Sequence, residues 1–240
     1  MKLALVTGGF RRLGGAIAAR LAADGWTLAL HGHSELEPEA GLELGDWRGF
    51  AAELAEPEAV AQLMPRVVDA FGAVPSLLVN SASRFAWDDA ATATAATLAE
   101  HHAVNAAAPV ILALALKQAG GAGSVVNILD QRVRNPNGDQ LSYILSKGAL
   151  WTATRTLASA LAPQLRVNSV APGQTIATPS QSPAQVERVR AAMPLETLPR
   201  PADIADAVVW LAGASAVTGQ TIFVDGGANL RGFERDFSFF

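Results

Sequence analysis

An apolar run at residues 2–7 (KLALVT) passes directly into a glycine-rich turn, Thr7-Gly8-Gly9-Phe10-Arg11-Arg12-Leu13-Gly14-Gly15. From there the chain enters an alanine-rich segment, 14–24, that reads as a helix ended by Gly25. Few architectures accommodate a buried strand feeding a helix through so many glycines. The pattern then repeats. Further strands are expected at 26–31, 47–52 (weaker), 76–80, 124–129, 165–170 and 220–225. Helices are expected at 57–70, despite Pro65, at 94–118 with a bend or break near Pro109, at 141–161 and at 201–213. Continuous apolar strands mean burial on both faces. The expectation is an α/β fold: one domain over 1–240, a doubly wound parallel sheet of about seven strands with helices on both faces. A ligand in such a sheet sits outside the carboxyl ends of the strands. Residues 7–9, His31, 80–83, 129–131 and 170–173 therefore come into question.

Composition removes several classes of function. With 18 basic and 22 acidic residues the formal charge is −4, which argues against a nucleic-acid partner. The absence of cysteine excludes disulfides, thiolate catalysis and cysteine-based zinc sites. His101 and His102 lack further ligands at metal spacing and read as surface residues, so no metal is expected. The apolar stretch 103–116 contains Asn105 and Pro109 and reads as too short for a membrane span, and residues 1–7 are too short for a signal core. A cytoplasmic protein with no membrane partner is the default expectation.

The glycine turn is either a tight strand-to-helix connection or a cradle for a pyrophosphate, which glycine lets approach the backbone at a helix N-terminus. The second strand ends in His31-Gly32-His33-Ser34. A dinucleotide site with an acid there takes the ribose 2′-hydroxyl, and that acid would repel a 2′-phosphate. Two histidines and a serine, with Arg11 and Arg12 in the facing turn, favour NADP(H); nearby Glu35 leaves NAD open.

Tyr143, the only tyrosine, lies four residues before Lys147 at the start of the helix after the fifth expected strand. Residues so spaced share one helix face. A neighbouring ammonium would lower the phenol's pKa and fit it for proton transfer. The alternative is a half-buried tyrosine beside a surface lysine.

Taken in order, the glycine turn, Asn80-Ser81-Ala82-Ser83, Val104-Asn105, Tyr143 with Lys147, Ala171-Pro172-Gly173 and Asp225-Gly226-Gly227 make the chain resemble the short-chain dehydrogenase/reductase family over nearly its whole length, with that family's Rossmann-type fold. The resemblance implies that Thr7, Gly8, Arg11, Arg12, Leu13, Gly14, His31, His33, Ser34, Glu53, Asn80, Ser81, Ala82, Pro172 and Gly173 form the cofactor site. Glu53 stands where the family usually has an aspartate. Asn105 would hold a water relaying protons to Lys147, which would also bind the nicotinamide ribose. Residues 174–195 would be a substrate lid. The phenylalanine-rich tail, 233–240, would pack between subunits of a homotetramer or homodimer.

Two departures narrow the substrate. Arg12 replaces the middle glycine of the turn, and Asp130 in Leu129-Asp130-Gln131 replaces the catalytic serine. Both resemble the pteridine reductase and dihydromonapterin reductase branch, and Phe85 matches the phenylalanine that stacks a pterin there. An ionised aspartate would repel the oxyanion of a carbonyl substrate, whereas a carboxyl with a burial-raised pKa could protonate a ring nitrogen. Asp130 could instead be a cap or a salt-bridge partner of Arg132 or Arg134, and Phe85 could be plain core. The resulting expectation is an NADPH-dependent reductase of a small planar substrate, a dihydropterin or dihydrofolate, with Asp130, Tyr143, Lys147 and Asn105 catalytic and Ser83, Phe85, Asp130 and Tyr143 touching substrate. The alternatives are a generic carbonyl or 3-oxoacyl reductase and a non-catalytic NADP-binding sensor.

Overall fold

A computed structural model describes residues 2–178 and 181–240. Seven parallel strands form one sheet: β1 (Leu3–Thr7), β2 (Thr27–Gly32), β3 (Trp47–Ala51), β4 (Leu77–Asn80), β5 (Gly123–Ile128), β6 (Leu165–Pro172) and β7 (Thr221–Val224). Their order is β3-β2-β1-β4-β5-β6-β7. The chain reverses its direction of travel across the sheet between β1 and β4. That switch point opens a crevice beyond Thr7 and Asn80, which are register partners. The expected strands are all present, each within about two residues of the sequence reading.

Alternation along each strand builds two cores. Leu3 and Leu5 point to one side, where α2 (Pro57–Phe71), α4 (Ala108–Gln118) and α5 (Leu141–Ala160) pack. Ala4 and Val6 point to the other, against α1 (Arg12–Ala23) and α7 (Pro201–Gly213). α3 (Ala95–His102) and α6 (Pro183–Ala192) complete the helices. Pro65 does not break α2. Pro65 and Ala61, whose carbonyl loses its partner, are both exposed, so water can satisfy the freed group. Burying Val60, Leu63, Met64 and Val67, at roughly 2 kcal/mol each, exceeds the ~3 kcal/mol proline penalty.

The long helix is interrupted before Pro109, by a π-helical turn at Ala103–Ala107 that joins α3 to α4. The helical run Ala95–Gln118 is 24 residues and is long and apolar enough to cross a membrane, contrary to the sequence reading. Here it is a core helix: Leu112, Ala113 and Leu116 are fully buried against the sheet, and α4 packs on α2.

Candidate active site

The first turn of α1 forms one end of the cleft. Thr7 Oγ1 accepts hydrogen bonds from the amides of Ser81 and Ala82 at 3.0 and 3.1 Å, tying the β1 and β4 turns together. The approach is close: a Cβ on Gly14 would lie 2.1 Å from the Gly8 carbonyl oxygen. Arg12 sits at φ +52°, which is why glycine suits this position and why arginine is strained there by about 1 kcal/mol. Arg11 precedes the helix without a side-chain cap, and with the Arg12 amide taken by Glu39 the Leu13 and Gly14 amides are left for an anion. Gly8, Arg11, Arg12, Leu13 and Gly14 line the cleft, an arrangement that fits a pyrophosphate.

The strand-end histidines divide. His31 is buried and its ring is spent internally: Nδ1 accepts from the Gly8 amide at 3.3 Å and Nε2 donates to the Ala52 carbonyl at 3.0 Å. Burial lowers its pKa, so it stays neutral, shaping the turn without offering a charge to a 2′-phosphate. His33 is exposed and pairs with Glu53 at 2.5 Å, and Arg11 pairs with Glu35 at 2.8 Å. Both pairs line a side cleft of about 540 Å³. Arg12 lines the main cleft, with its backbone amide donating to Glu39 at 2.8 Å. Ser34 is exposed outside both clefts. Asn80 also lies outside both clefts. It is buried and donates to Asn127 Oδ1 at 2.8 Å across β4 and β5, while its own Oδ1 has no hydrogen-bond partner among the described residues.

The reaction end lies where β5 and α5 meet. Asp130 caps a short 3₁₀ turn, Gln131–Val133, through the Arg132 amide at 2.9 Å. The same carboxylate takes the Arg132 guanidinium at 3.1 Å through both Nε and Nη2 and accepts from Tyr143 Oη at 3.2 Å. Burial pushes the Asp130 carboxyl up, but Arg132 and then Lys147 outweigh it, and its pKa ends below the ordinary value. This corrects the expected raised pKa: Asp130 is both the salt-bridge partner of Arg132 and the neighbour of Tyr143. Tyr143 is corrected too. Burial and the Asp130 anion hold its phenol well above the usual range, so Lys147 does not make it a phenolate. Burial instead lowers Lys147 to about 8, with its Nζ donating to the Ile128 carbonyl at 2.9 Å.

Asn105 occupies the π turn, fully buried. Its side chain donates to Ser146 Oγ and the Arg84 carbonyl, both at 2.9 Å, and accepts from the Arg84 amide at 2.7 Å and Ser83 Oγ at 3.2 Å. The side chain thus fastens the loop that carries Ser83, leaving only the backbone carbonyl for a water. Pro109, having no N–H, deprives that carbonyl of its usual helical donor.

Phe85 projects from this loop, about half exposed, with its ring edge-on to Tyr143 at 4.9 Å between centroids. Asp88 clamps the loop to the start of α5, accepting from the Ser142 amide at 3.0 Å and from the Ser142 hydroxyl. His101, read as a surface residue, is buried and accepts from the Ala86 amide at 3.2 Å. Loop, α5, Pro172–Gln174 and part of the expected lid enclose a cleft of about 820 Å³. Residues 179 and 180 of that lid lie outside the described residues.

Two contributors, Gln140 and Asp236, were missed by sequence reasoning, and Arg132 was foreseen only as a possible partner of Asp130. Gln140 is buried at φ +57° and accepts from Arg132 at 2.7 Å. Arg132 itself is nearly buried. Asp236 comes from the tail and accepts from Arg132 at 2.8 Å. The tail folds back over its own cleft, and Phe237 is buried with Val189 and Met193. Strained backbone at Gln140, as at Arg12, marks the site from within and is invisible in sequence.

Residues 10–229 match the family model described as enoyl-(acyl carrier protein) reductase. The crystal structure of FolM alternative dihydrofolate reductase 1 from Brucella canis, complexed with NADP, is 38% identical, with a TM-score of 0.87 over 95% of this chain and 94% of that one. Its counterpart from Brucella suis, also in complex with NADP, is 37% identical, with a TM-score of 0.86 over 95% of each chain. A (3R)-3-hydroxyacyl-CoA dehydrogenase from Mus musculus is 33% identical over 94% of this chain and 95% of its own. The chain belongs to the short-chain dehydrogenase/reductase family of oxidoreductases.

Proposed function

We propose that this protein is an NADPH-dependent reductase of a dihydropterin or dihydrofolate. The observation that carries the reading is the Tyr143–Asp130 contact beneath the half-exposed Phe85 ring. Bound NADPH supplies the hydride. Gly8 and the Leu13 and Gly14 amides of α1 hold its pyrophosphate, while Arg11 and Arg12 offer guanidinium cations to the 2′-phosphate.

Phe85 offers a flat apolar face to a planar ring. Reduction of a ring C=N bond adds hydride at carbon and a proton at nitrogen. A nitrogen gaining that electron pair is far more basic than a phenolate, so a neutral phenol of high pKa still protonates it. Tyr143 keeps the proton on Oη until then, and Lys147, with a pKa of about 8, replaces it. The ionised Asp130 accepts N–H groups of a heterocycle. It would repel the oxyanion of a carbonyl substrate, which disfavours the 3-oxoacyl reductase reading despite relatives named as a putative ketoacyl reductase and a (3R)-3-hydroxyacyl-CoA dehydrogenase.

The test is NADPH oxidation with dihydrobiopterin, dihydromonapterin, dihydrofolate and a 3-oxoacyl thioester. Turnover of at least one reduced pterin, well above the thioester, is expected. Turnover of the thioester alone would overturn the reading in favour of a carbonyl reductase, and NADPH binding with no turnover of any would favour a sensor.

A further inference from the structure

The C-terminal tail touches both the floor and the cover of the cleft. On the floor side, Asp236 Oδ2 accepts from Arg132 at 2.8 Å while Arg132 holds Asp130 through its other nitrogens. Both side chains of the Arg132–Asp236 pair are nearly buried, at 10% and 13% exposure. Asp236 is itself held: its amide donates to Asp139 at 2.7 Å, and its Oδ1 accepts from the Ser238 amide and hydroxyl at 3.0 and 2.7 Å. Arg235 pairs with Asp139 at 2.9 Å. On the cover side, Arg188 of α6 donates to the Phe240 carbonyl at 2.9 Å, and Phe237 packs on Val189 and Met193 of α6.

We propose that Asp236 is a positioning residue of the active site: it shares the Arg132 guanidinium with Asp130, so the tail governs how Asp130 is presented to Tyr143. A guanidinium has a rigid planar fork, and two carboxylates on one fork constrain each other. Asp236 thereby fixes Arg132 and prevents it from rotating away from Asp130. It also adds a second anion near the phenol. The charged groups facing the Asp130–Tyr143 pair are Arg132 from the 3₁₀ turn, Lys147 from α5 and Asp236 from the tail. Asp139 and Arg235 lie one contact further out. The importance for catalysis rests on the proposed role of Asp130 and Tyr143, but the coupling itself is testable without substrate.

Tyr143 is the only tyrosine, so phenolate absorbance near ~295 nm reports it alone. The experiment is an alkaline titration of NADPH-free wild type, Asp236→Asn, Asp236→Ser and Asp236→Glu, with circular dichroism confirming the fold at each pH. Asn and Ser keep the cap on Ser238 without the charge, so either serves should the other fail to fold. A charge-neutralising control, Glu58→Gln, lies on α2 outside the site. The neutral variants should ionise Tyr143 at a pH lower by roughly half a unit or more, less than the one to three units of a directly adjacent charge. Asp236→Glu and Glu58→Gln should titrate as wild type. With a reduced pterin as substrate, the kcat pH profile of Asp236→Asn should shift while the NADPH dissociation constant holds. Folded Asn and Ser variants that titrate as wild type would overturn the proposal. Absence of pterin turnover in the wild type would instead count against the proposed substrate, leaving the titration to judge the coupling.

Discussion

Lys147 shows what the site demands of a single residue. Its ammonium is almost fully buried, and burial brings its pKa from 10.5 to about 8. Between those values the unfolded chain binds a proton that the folded chain does not, so stability rises with pH over that window. Below pH 8 the buried ammonium costs about 3 kcal/mol. Lys147→Met should therefore raise the melting temperature at pH 7 while abolishing turnover, a trade measurable by calorimetry and NADPH oxidation. The same pKa sets the proton supply. The ammonium is the donor, present below about 8 and lost above it, so kcat should fall about tenfold per pH unit on the alkaline side. A rate independent of pH from 7 to 10 would contradict this role. Tyr143, Lys147, Asp130 and Phe85 were legible because each stands at a telling place in the chain. Their charge states were not, because Arg132 and Asp236 are 104 residues apart. Arg132 and Arg134 had both shown themselves as candidate partners of Asp130, and Arg132 is the one that bonds it.

At the scale of elements, the loop between β4 and α3 is held by groups on other elements. Asp88 fastens it to the first turn of α5, His101 of α3 takes the Ala86 amide, and Asn105 in the π turn holds Arg84 at both backbone atoms. These three set the height of Phe85 over Tyr143. Asp88→Ala removes two bonds to a buried carboxylate and should cost about 3 kcal/mol of stability. It should raise KM for the planar substrate roughly tenfold, about 1.4 kcal/mol, with a smaller change in kcat. Equal losses in kcat and kcat/KM would place Asp88 in the chemistry instead. Helices and strands were legible from apolar periodicity, including α2, where buried apolar residues outweigh Pro65. The π turn was legible only as a break near Pro109, since its placement depends on tertiary bonds made by Asn105.

Across the whole molecule, the order β3-β2-β1-β4-β5-β6-β7 gathers Gly8, Asp130, Tyr143 and Gly173 along one cleft at the carboxyl ends of the strands. The alternation of strands and helices made that cleft foreseeable. The tail was not, because nothing local in 233–240 distinguishes a segment that covers its own site from one that meets a partner. Phe237, buried on α6, and Asp236, bonded to Arg132, bring the tail over the cleft. In the proposed reaction the ionised Asp130 selects a ring nitrogen over a carbonyl. The direct measurement is the ratio of kcat/KM for dihydrofolate to that for a 3-oxoacyl thioester, in wild type and Asp130→Ser. The exchange should lower kcat/KM for dihydrofolate by about a hundredfold or more and raise it for the thioester. A ratio unchanged by Asp130→Ser in a folded, NADPH-binding enzyme would contradict it.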